Sequence, residues 1–344
     1  WVWPFEAKQS VDDIEAGARL GIAEMLLGGV TTFVDMYFAQ DRVARVVDEM
    51  GIRALLTECL FDATIEQLEG NMRRAMDASE QMSRVTVGSA AHAPYTCSAD
   101  VIKRCGEFSV SRGQKLTMHL LESSSEREIV EQKYGCDPVE HLRRSEVMDE
   151  NWIIAHCVHL TDSDIEAIKG WGSTVVHNPQ CNMKISSGIA PVAKLLEEGV
   201  NVALGTDGAC SNNDLDMWEE MRSAVMLQRV ATMNPVVMPA YEVLKMATVN
   251  GAKALGLEGE LGVIREGALA DVIVINMNRA HLQPLHNIIS TLLYCVKASD
   301  VEMTIVDGRI IVEGGELLGV DMDEIIGDVN RRAQRILSEL RIRN

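Results

Sequence analysis

The segment VALGTDGACSNNDLD, residues 202–216, decides the fold class of this chain. Its apolar start predicts a buried strand that runs directly into Asp207, which has a glycine close on either side. A carboxylate at the end of a buried strand is unfavourable unless it is paired or binds a metal. Ligands of parallel α/β proteins bind at the carboxyl ends of the strands. Asp207 therefore marks the active end of a predicted parallel sheet.

The same arrangement recurs along the chain, because β-branched apolar runs alternate with amphipathic stretches. Their hydrophobicity is continuous, which is typical of strands covered on both faces, and their alternation with helices predicts βα units. Ser10 and Asp13 resemble a capping box before the first long helix, predicted at 11–27. The predicted strands are residues 31–36, 53–60, 85–91, 115–121, 152–158, 173–177 and 202–205.

Seven strand–helix units predict a (βα)8 TIM-like barrel in residues 1–256. The chain starts at Trp1 in the middle of the pattern and without Met, so we expect the first strand of the barrel to lie before it. A doubly wound open sheet is the alternative. That fold predicts a glycine-rich phosphate turn after its first strand, and no GxGxxG motif stands there.

After residue 256 the alternation of strands and helices gives way to short strands with glycine turns. Residues 257–344 are predicted to form a β-sandwich portion with a C-terminal helix. Residues 258–276 read as short strands with glycine turns. Residues 301–318 predict a hairpin with Asp307 and Gly308 at its turn, and a charged helix is predicted at 322–340.

Composition restricts the function classes. The chain has 344 residues, 47% of them hydrophobic, and a net charge of −19, which excludes a general nucleic-acid or anionic-membrane surface because both require basic patches. No apolar run reaches transmembrane length. The 8 cysteines form no CxxC pair, which predicts reduced thiols and a cytoplasmic location.

Five successive predicted strands end in a histidine or an aspartate: His92, His119, His156, His177 and Asp207. A single one of them would be interpreted as a hydrogen-bonded buried residue. Five at the same edge of a sheet predict a catalytic site instead, since barrel enzymes place catalytic groups there. Neutral imidazole and carboxylate are ordinary zinc or iron ligands, and together they lower the pKa of a bound water to about 7.

The chain resembles the metal-dependent amidohydrolases, and within them the methylthioadenosine/S-adenosylhomocysteine deaminases and their 5'-deoxyadenosine-deaminase relatives. The resemblance extends over nearly the whole chain. It rests on the motifs WVWPFE, VTTFVDMYF, AHAPYTCS, MHLLES, AHCVHL, VHNPQCNMKISSGIAPV, LGTDGACSNNDLDM and GVIREGALADVIVI. The family fold is a metal-centred barrel with a β-sandwich built from both chain ends, in agreement with the prediction from the pattern.

The resemblance implies a role for each matching residue. His119 and Asp207 match metal ligands, and Glu122 matches the acid that contacts the purine and moves protons. His156 matches the residue that polarises the attacking water, while Asp207 also acts as the general base. His92 and Glu6 match further substrate contacts, Glu6 towards the ribose hydroxyls. His159 and His177 are interpreted as site-lining or structural residues.

The implied reaction is hydrolytic deamination of 5'-deoxyadenosine, methylthioadenosine or S-adenosylhomocysteine to the inosine derivative and ammonia. It uses one divalent metal, for which zinc is expected ahead of iron. The expected partner is a small purine nucleoside, with no nucleic acid, no membrane and a homo-oligomeric assembly.

The chain departs from the family pattern in two respects. It has no HxH motif, the source of two further metal ligands, which we expect upstream of Trp1. Glu58 and Gln67 stand where some relatives have arginines for the homocysteine carboxylate. An acid at that place would repel the tail, which favours neutral 5'-groups.

Two other functions compete with this hypothesis. One is another amidohydrolase activity, on guanine, cytosine or a triazine, and the other is a metal-free binding protein. A nucleic-acid deaminase is disfavoured because the acidic chain has neither a basic channel nor a cysteine-ligated zinc motif.

Overall fold

The computed structural model describes residues 2–340. Trp1, the first position of the WVWPFE motif, and residues 341–344, the end of the predicted C-terminal portion, lie outside the described residues. Seven parallel strands form one sheet: β1 (Thr32–Tyr37), β2 (Arg53–Leu60), β3 (Val85–Ala91), β4 (Leu116–Leu120), β5 (Trp152–His156), β6 (Thr174–His177) and β7 (Val202–Leu204).

Helices separate these strands and continue to the end of the described chain. They are α1 (Val2–Glu6), α2 (Val11–Leu27), α3 (Gln40–Met50), α4 (Leu68–Ser79), α5 (Ala99–Val110), α6 (Glu126–Tyr134), α7 (Pro138–Ser145), α8 (Asp162–Trp171), α9 (Pro179–Lys184), α10 (Val192–Glu197), α11 (Ala209–Asn212), α12 (Met217–Thr232), α13 (Ala240–Met246), α14 (Val249–Ala254), α15 (Ile288–Tyr294) and α16 (Met322–Glu339). Short 3₁₀ turns occupy Ile65–Gln67, Ala280–Leu282 and Ala298–Asp300. Between Val2 and Leu340 the structure contains no helix that is long and apolar enough to span a bilayer.

The strand order of the large sheet identifies the fold. It follows the chain from β1 to β7 without reversal, whereas a doubly wound sheet reverses its order at a switch point. Leu55 of β2 and Ile153 of β5 belong to one buried cluster with Ala254, although three strand spacings of about 4.8 Å would separate the two strands in a flat sheet. The sheet is therefore curled, and the predicted TIM-barrel-like α/β fold is confirmed.

The second sheet is antiparallel and has the order β11-β10-β9-β8. Its strands are β8 (Val272–Ile275), β9 (Val301–Val306), β10 (Arg309–Glu313) and β11 (Glu316–Leu317). The predicted hairpin is confirmed, because Asp307 and Gly308 join β9 to β10 with φ of 52° and 75°, the two positive values of a type I′ turn. The domain boundary at 256/257 stays a prediction.

Three local predictions can be compared with the structure. The capping box is confirmed, since Ser10 Oγ accepts from Asp13 N and Asp13 Oδ2 accepts from Ser10 N. The amphipathic pattern of residues 125–144 predicts one helix, but the structure has two, because Gly135 ends α6 at φ 68° and Pro138 begins α7. The described residues 258–276 form one strand, β8, and an isolated bridge between Glu258 and Leu261.

Candidate active site

The carboxyl ends of β3 to β7 bring the predicted polar residues to one edge of the curled sheet. His92 directly follows β3, and its ring centroid lies 5.0 Å from that of His119 in β4. The His119 ring stacks on His156 of β5 with centroids 5.4 Å apart. Three of the five predicted strand-end residues are thus in direct ring contact.

A compact group of potential ligand atoms lies beside these rings. Within the described residues, one ligand atom each of Glu122, His156, Cys181 and Asp207 lies within 4.8 Å of the other three. His156 Nε2 is 3.7 Å from Glu122 Oε1, and Cys181 Sγ is 2.9 Å from Asp207 Oδ2. This group could hold a divalent metal. The group contains the predicted ligand Asp207 and also Cys181. The other predicted ligand, His119, is not in the group, but its ring stacks on His156, which is.

Hydrogen bonds fix the orientation of both imidazoles. His119 Nδ1 donates to the carbonyl of His92 at 2.8 Å, and His156 Nδ1 donates to Asn182 Oδ1 at 3.0 Å. Each ring therefore keeps a lone pair on Nε2, the arrangement typical of metal-binding histidines. Burial lowers the pKa of both imidazoles and keeps them neutral, which ligation requires. The residues present therefore fit a divalent metal.

Burial has the opposite effect on the neighbouring acid and thiol. It raises the pKa of Glu122, and the charge of Asp207 acts in the same direction. Burial, followed by the charge of Asp207, also raises the pKa of the Cys181 thiol. A carboxyl with a raised pKa beside a neutral imidazole is suited to general acid catalysis at neutral pH.

The backbone is strained where these strands end. Leu121, His156, Cys157 and Asp207 have φ of 51°, 70°, 51° and 63°, in the left-handed region that L-residues seldom occupy. Such conformations persist where the surrounding structure enforces them, and they cluster at active sites. Four of them at the carboxyl end of β4, β5 and β7 therefore favour this edge as the functional one.

An aromatic row connects His92 to Glu6. The His92 ring lies 4.7 Å from Phe61, Phe61 lies 6.2 Å from Phe38, and Phe38 lies 4.9 Å from Tyr37, measured between centroids. The Tyr37 hydroxyl donates to Glu6 Oε1 at 2.8 Å. Glu6 is thus joined to the site through this row rather than through the ligand group, and the row offers an apolar wall with a carboxylate at its far end.

Three residues singled out in the sequence are not part of the group of ligand atoms. His159 Nε2 donates to the Ser187 carbonyl at 2.7 Å, a structural contact. His177 is fully buried, neither ring nitrogen has a hydrogen-bond partner within residues 2–340, and burial lowers its pKa to about 3. Gln67 is exposed at the end of a 3₁₀ turn.

Glu58 does not have the predicted environment. Its carboxylate is buried and accepts from Gln40 N at 3.2 Å and from Asn71 Nδ2 at 2.7 Å. These partners belong to α3 and α4, so the carboxylate is held by the helix layer. The interpretation of Glu58 as an acid facing the substrate tail is wrong.

Sequence reasoning did not single out Cys181 and Asn182, although both contact the site. They are consecutive residues of α9, which follows the strand that ends in His177. Their position in the short helix that follows a strand-ending histidine is the signal that could have identified them.

Comparison with known proteins assigns the family. Residues 1–311 match the Amidohydrolase family. A 5-methylthioadenosine/S-adenosylhomocysteine deaminase of Carboxydothermus hydrogenoformans is 41% identical over 342 residues, which cover 98% of this chain and 79% of the relative. The deaminase of the same name from Pyrococcus horikoshii is 41% identical over 335 residues, covering 95% and 78%.

Solved structures agree with this assignment. A zinc-bound adenosine deaminase from Xanthomonas campestris superimposes with a TM-score of 0.94 at 30% identity, covering 98% of this chain and 78% of the other. Atrazine chlorohydrolase from Arthrobacter aurescens, in complex with zinc, shares the fold with a TM-score of 0.88 at 21% identity, covering 95% and 78%. The chain therefore belongs to the amidohydrolase family, and it is a metal-dependent hydrolase.

Proposed function

We propose that this protein hydrolyses the 6-amino group of an adenosine derivative, giving the inosine derivative and ammonia. The substrate class is 5'-deoxyadenosine, methylthioadenosine or S-adenosylhomocysteine. The names of the 41% identical relatives support this class. The observation that carries the proposal is the group of Glu122, His156 and Asp207, in which a carboxyl of raised pKa lies 3.7 Å from a neutral imidazole.

His119 and Asp207 are the proposed metal ligands, and zinc is the proposed metal. The orientation of His119 by the His92 carbonyl supports its role. Held by these residues, a divalent metal would supply a water of lowered pKa and would stabilise negative charge that develops during attack.

The side chains divide the proton transfers between them. Burial raises the pKa of Glu122, which favours its protonated form, and Glu122 donates its proton to the purine ring nitrogen. Asp207 takes one proton from the attacking water and delivers it to the amino group, which leaves as ammonia. The second proton of the water returns to the Glu122 carboxylate as the product carbonyl forms. His156, with Nδ1 held by Asn182, presents Nε2 to the water and orients it. An acid and a base thus stand on either side of the reacting carbon.

Substrate contacts are proposed for Glu6 and His92, besides Glu122 and Asp207. Glu6 accepts from the ribose hydroxyls, and the aromatic row between Glu6 and His92 packs against the nucleoside. A small purine nucleoside is the proposed partner, and a homo-oligomer stays a prediction.

The Glu122→Gln variant tests this function. We expect its turnover of 5'-deoxyadenosine to fall by about a hundredfold or more, because an amide cannot supply the proton. Its zinc content, measured by elemental analysis, should equal that of the wild type. Glu128→Gln changes an exposed acid of the following helix and serves as the matched control with unchanged turnover.

Ammonia release is measured on a panel of 5'-deoxyadenosine, methylthioadenosine, S-adenosylhomocysteine, guanine, cytosine and a triazine. Release from the triazine and from no adenosine derivative would refute the substrate class. Near-normal turnover by Glu122→Gln would refute the role of Glu122. A wild-type protein that binds nucleoside without metal and without turnover would establish a binding protein instead.

A further inference from the structure

We propose that Cys181 is a positioning residue of this site, whose thiol donates a hydrogen bond to Asp207 and holds that carboxylate in its reactive orientation. The inference rests on the proposed function, in which Asp207 transfers a proton. It assigns a role to a residue that lies between both proposed proton-transfer groups. Cys181 Sγ is 2.9 Å from Asp207 Oδ2 and 4.0 Å from Glu122 Oε1.

The contact with Asp207 is short, and its thiol side is buried. Cys181 is 0% exposed, so water does not compete for its thiol. A sulfur and a carboxylate oxygen at this separation attract each other only with a proton between them. A thiol is a weak donor, but a charged acceptor strengthens the bond and the buried setting reduces screening.

Asp207 needs this support because its own backbone does not fix the carboxylate. It follows β7 in a left-handed conformation with φ of 63°, and Oδ1 accepts from the adjacent Gly208 N at 2.6 Å. The thiol engages the other oxygen, Oδ2. Two bonds on two different oxygens define the carboxylate plane, whereas one bond leaves it free to turn.

Helix α9 supports two strand ends at once. Cys181 contacts Asp207 after β7, and the next residue, Asn182, accepts from His156 Nδ1 in β5. Both residues are 0% exposed. One short segment therefore sets the relative position of the proposed base and the proposed water-orienting imidazole, and proton transfer is sensitive to such alignment.

The Cys181→Ala variant tests the role in turnover. We expect its kcat for 5'-deoxyadenosine to fall by about tenfold, with KM unchanged because the bond acts on proton transfer and not on binding. Cys181→Ser keeps a donor and should recover most of the lost turnover. Cys105→Ala removes an equally buried thiol from α5, away from the site, and should leave kcat unchanged.

Two kinetic results would overturn the inference. One is a wild-type kcat in folded Cys181→Ala. The other is Cys181→Ser turning over no faster than Cys181→Ala when both unfold at the same temperature, since that outcome indicates packing and not hydrogen bonding.

Infrared spectroscopy tests the bond without activity, and therefore separates this inference from the proposed function. The difference spectrum between wild type and Cys181→Ser, or Cys181→Ala, isolates the S–H stretch of Cys181. We expect it at lower frequency than a free thiol, and Asp207→Ala should move it towards the free value. A free-thiol frequency in the wild type would contradict the proposal, even in a protein that releases ammonia.

Cobalt substitution tests the competing role, in which Cys181 Sγ is itself a ligand of the metal. A sulfur-to-cobalt charge-transfer band in the wild type that disappears in Cys181→Ser would identify Sγ as a metal ligand and overturn the inference. A cobalt spectrum unchanged by Cys181→Ser agrees with a thiol that acts through Asp207.

Discussion

Two buried carboxyl groups stand close to the proposed proton-transfer residues. Glu126 is 1% exposed and Glu220 is 0% exposed, and burial raises the pKa of each to about 8. Glu220 is also bound by Asn212 Nδ2 at 2.6 Å and by Gln180 N at 3.3 Å. Both groups therefore carry a proton at neutral pH and add little negative charge beside Glu122 and Asp207.

Glu126 gives a pH dependence of stability with a defined sign. Its folded pKa of about 8 lies above the reference value of 4.5, so the folded state binds more protons than the unfolded state between these values. The free energy of unfolding therefore falls as pH rises through this window. We expect Glu126→Gln to lack this contribution to the fall. Between pH 4.5 and pH 8, the free energy of unfolding of the variant should therefore rise relative to that of the wild type by up to a few kcal/mol.

Urea unfolding of both proteins across that window provides the measurement. Glu128→Gln, which changes an exposed acid on the same helix, should follow the wild-type curve. Parallel curves for Glu126→Gln and the wild type would show that Glu126 is charged in the folded protein.

At the scale of secondary-structure elements, β3 can pair closely with β4 because Gly88 of β3 has no side chain. A Cβ at Gly88 would lie 2.2 Å from the carbonyl oxygen of Lys115, the residue before β4. Backbone atoms of a central strand cannot move aside. We therefore expect Gly88→Ala to reduce the free energy of unfolding by about 3 kcal/mol or more, measured by denaturant titration.

Gly17→Ala is the matched control for that substitution. Gly17 is exposed in α2, and a Cβ there would meet no heavy atom within 4 Å. Alanine should stabilise this helix by up to about 1 kcal/mol. If both variants lost stability equally, the steric explanation for Gly88 would be wrong.

The elements were largely predictable from the sequence because their patterns are local. The sequence of β2, RALLTECL, is mostly apolar, so the strand was visible without the fold. Every residue of it is buried, and its predicted bounds equal the observed ones. The break after α6 was missed because the amphipathic pattern outweighed Gly135 and Pro138, two ordinary helix-ending signals.

The site was predictable to a lesser extent, because it depends on which way side chains point after a strand ends. A φ of 70° at His156 breaks the two-residue alternation of β5, so periodicity could not place its ring beside Glu122. Glu58 was misinterpreted for a different reason: it lies within β2, and its carboxylate is bound by Gln40 and Asn71 in other elements.

At the scale of the whole molecule, one carboxylate joins the two sheets. Asp271, which precedes β8, accepts two bonds from Arg53 at the start of β2, with Nε at 3.1 Å and Nη2 at 3.0 Å. Its Oδ1 also accepts from Asp307 N in the β9–β10 turn at 2.9 Å. The side chains of Arg53 and Asp271 are 9% and 1% exposed, so this pair is shielded from solvent and salt.

Because the pair is buried, removing one partner should cost more than removing both. Asp271→Leu removes the buried counter-charge of the guanidinium and leaves it the more exposed Asp307 carboxylate at 3.7 Å, so it should reduce the free energy of unfolding by about 3 kcal/mol. Arg53→Met should act similarly. The double variant leaves no unpaired charge, so we expect it to be more stable than either single variant, a coupling that a double-mutant cycle in urea measures directly.

Glu146→Gln breaks the exposed pair with Lys103 and should change nothing measurable. Simple additivity of the two single variants would mean that Arg53 and Asp271 act separately, and that the second sheet is held by other contacts, such as the bond from Thr304 Oγ1 in β9 to the Leu26 carbonyl in α2 at 2.8 Å.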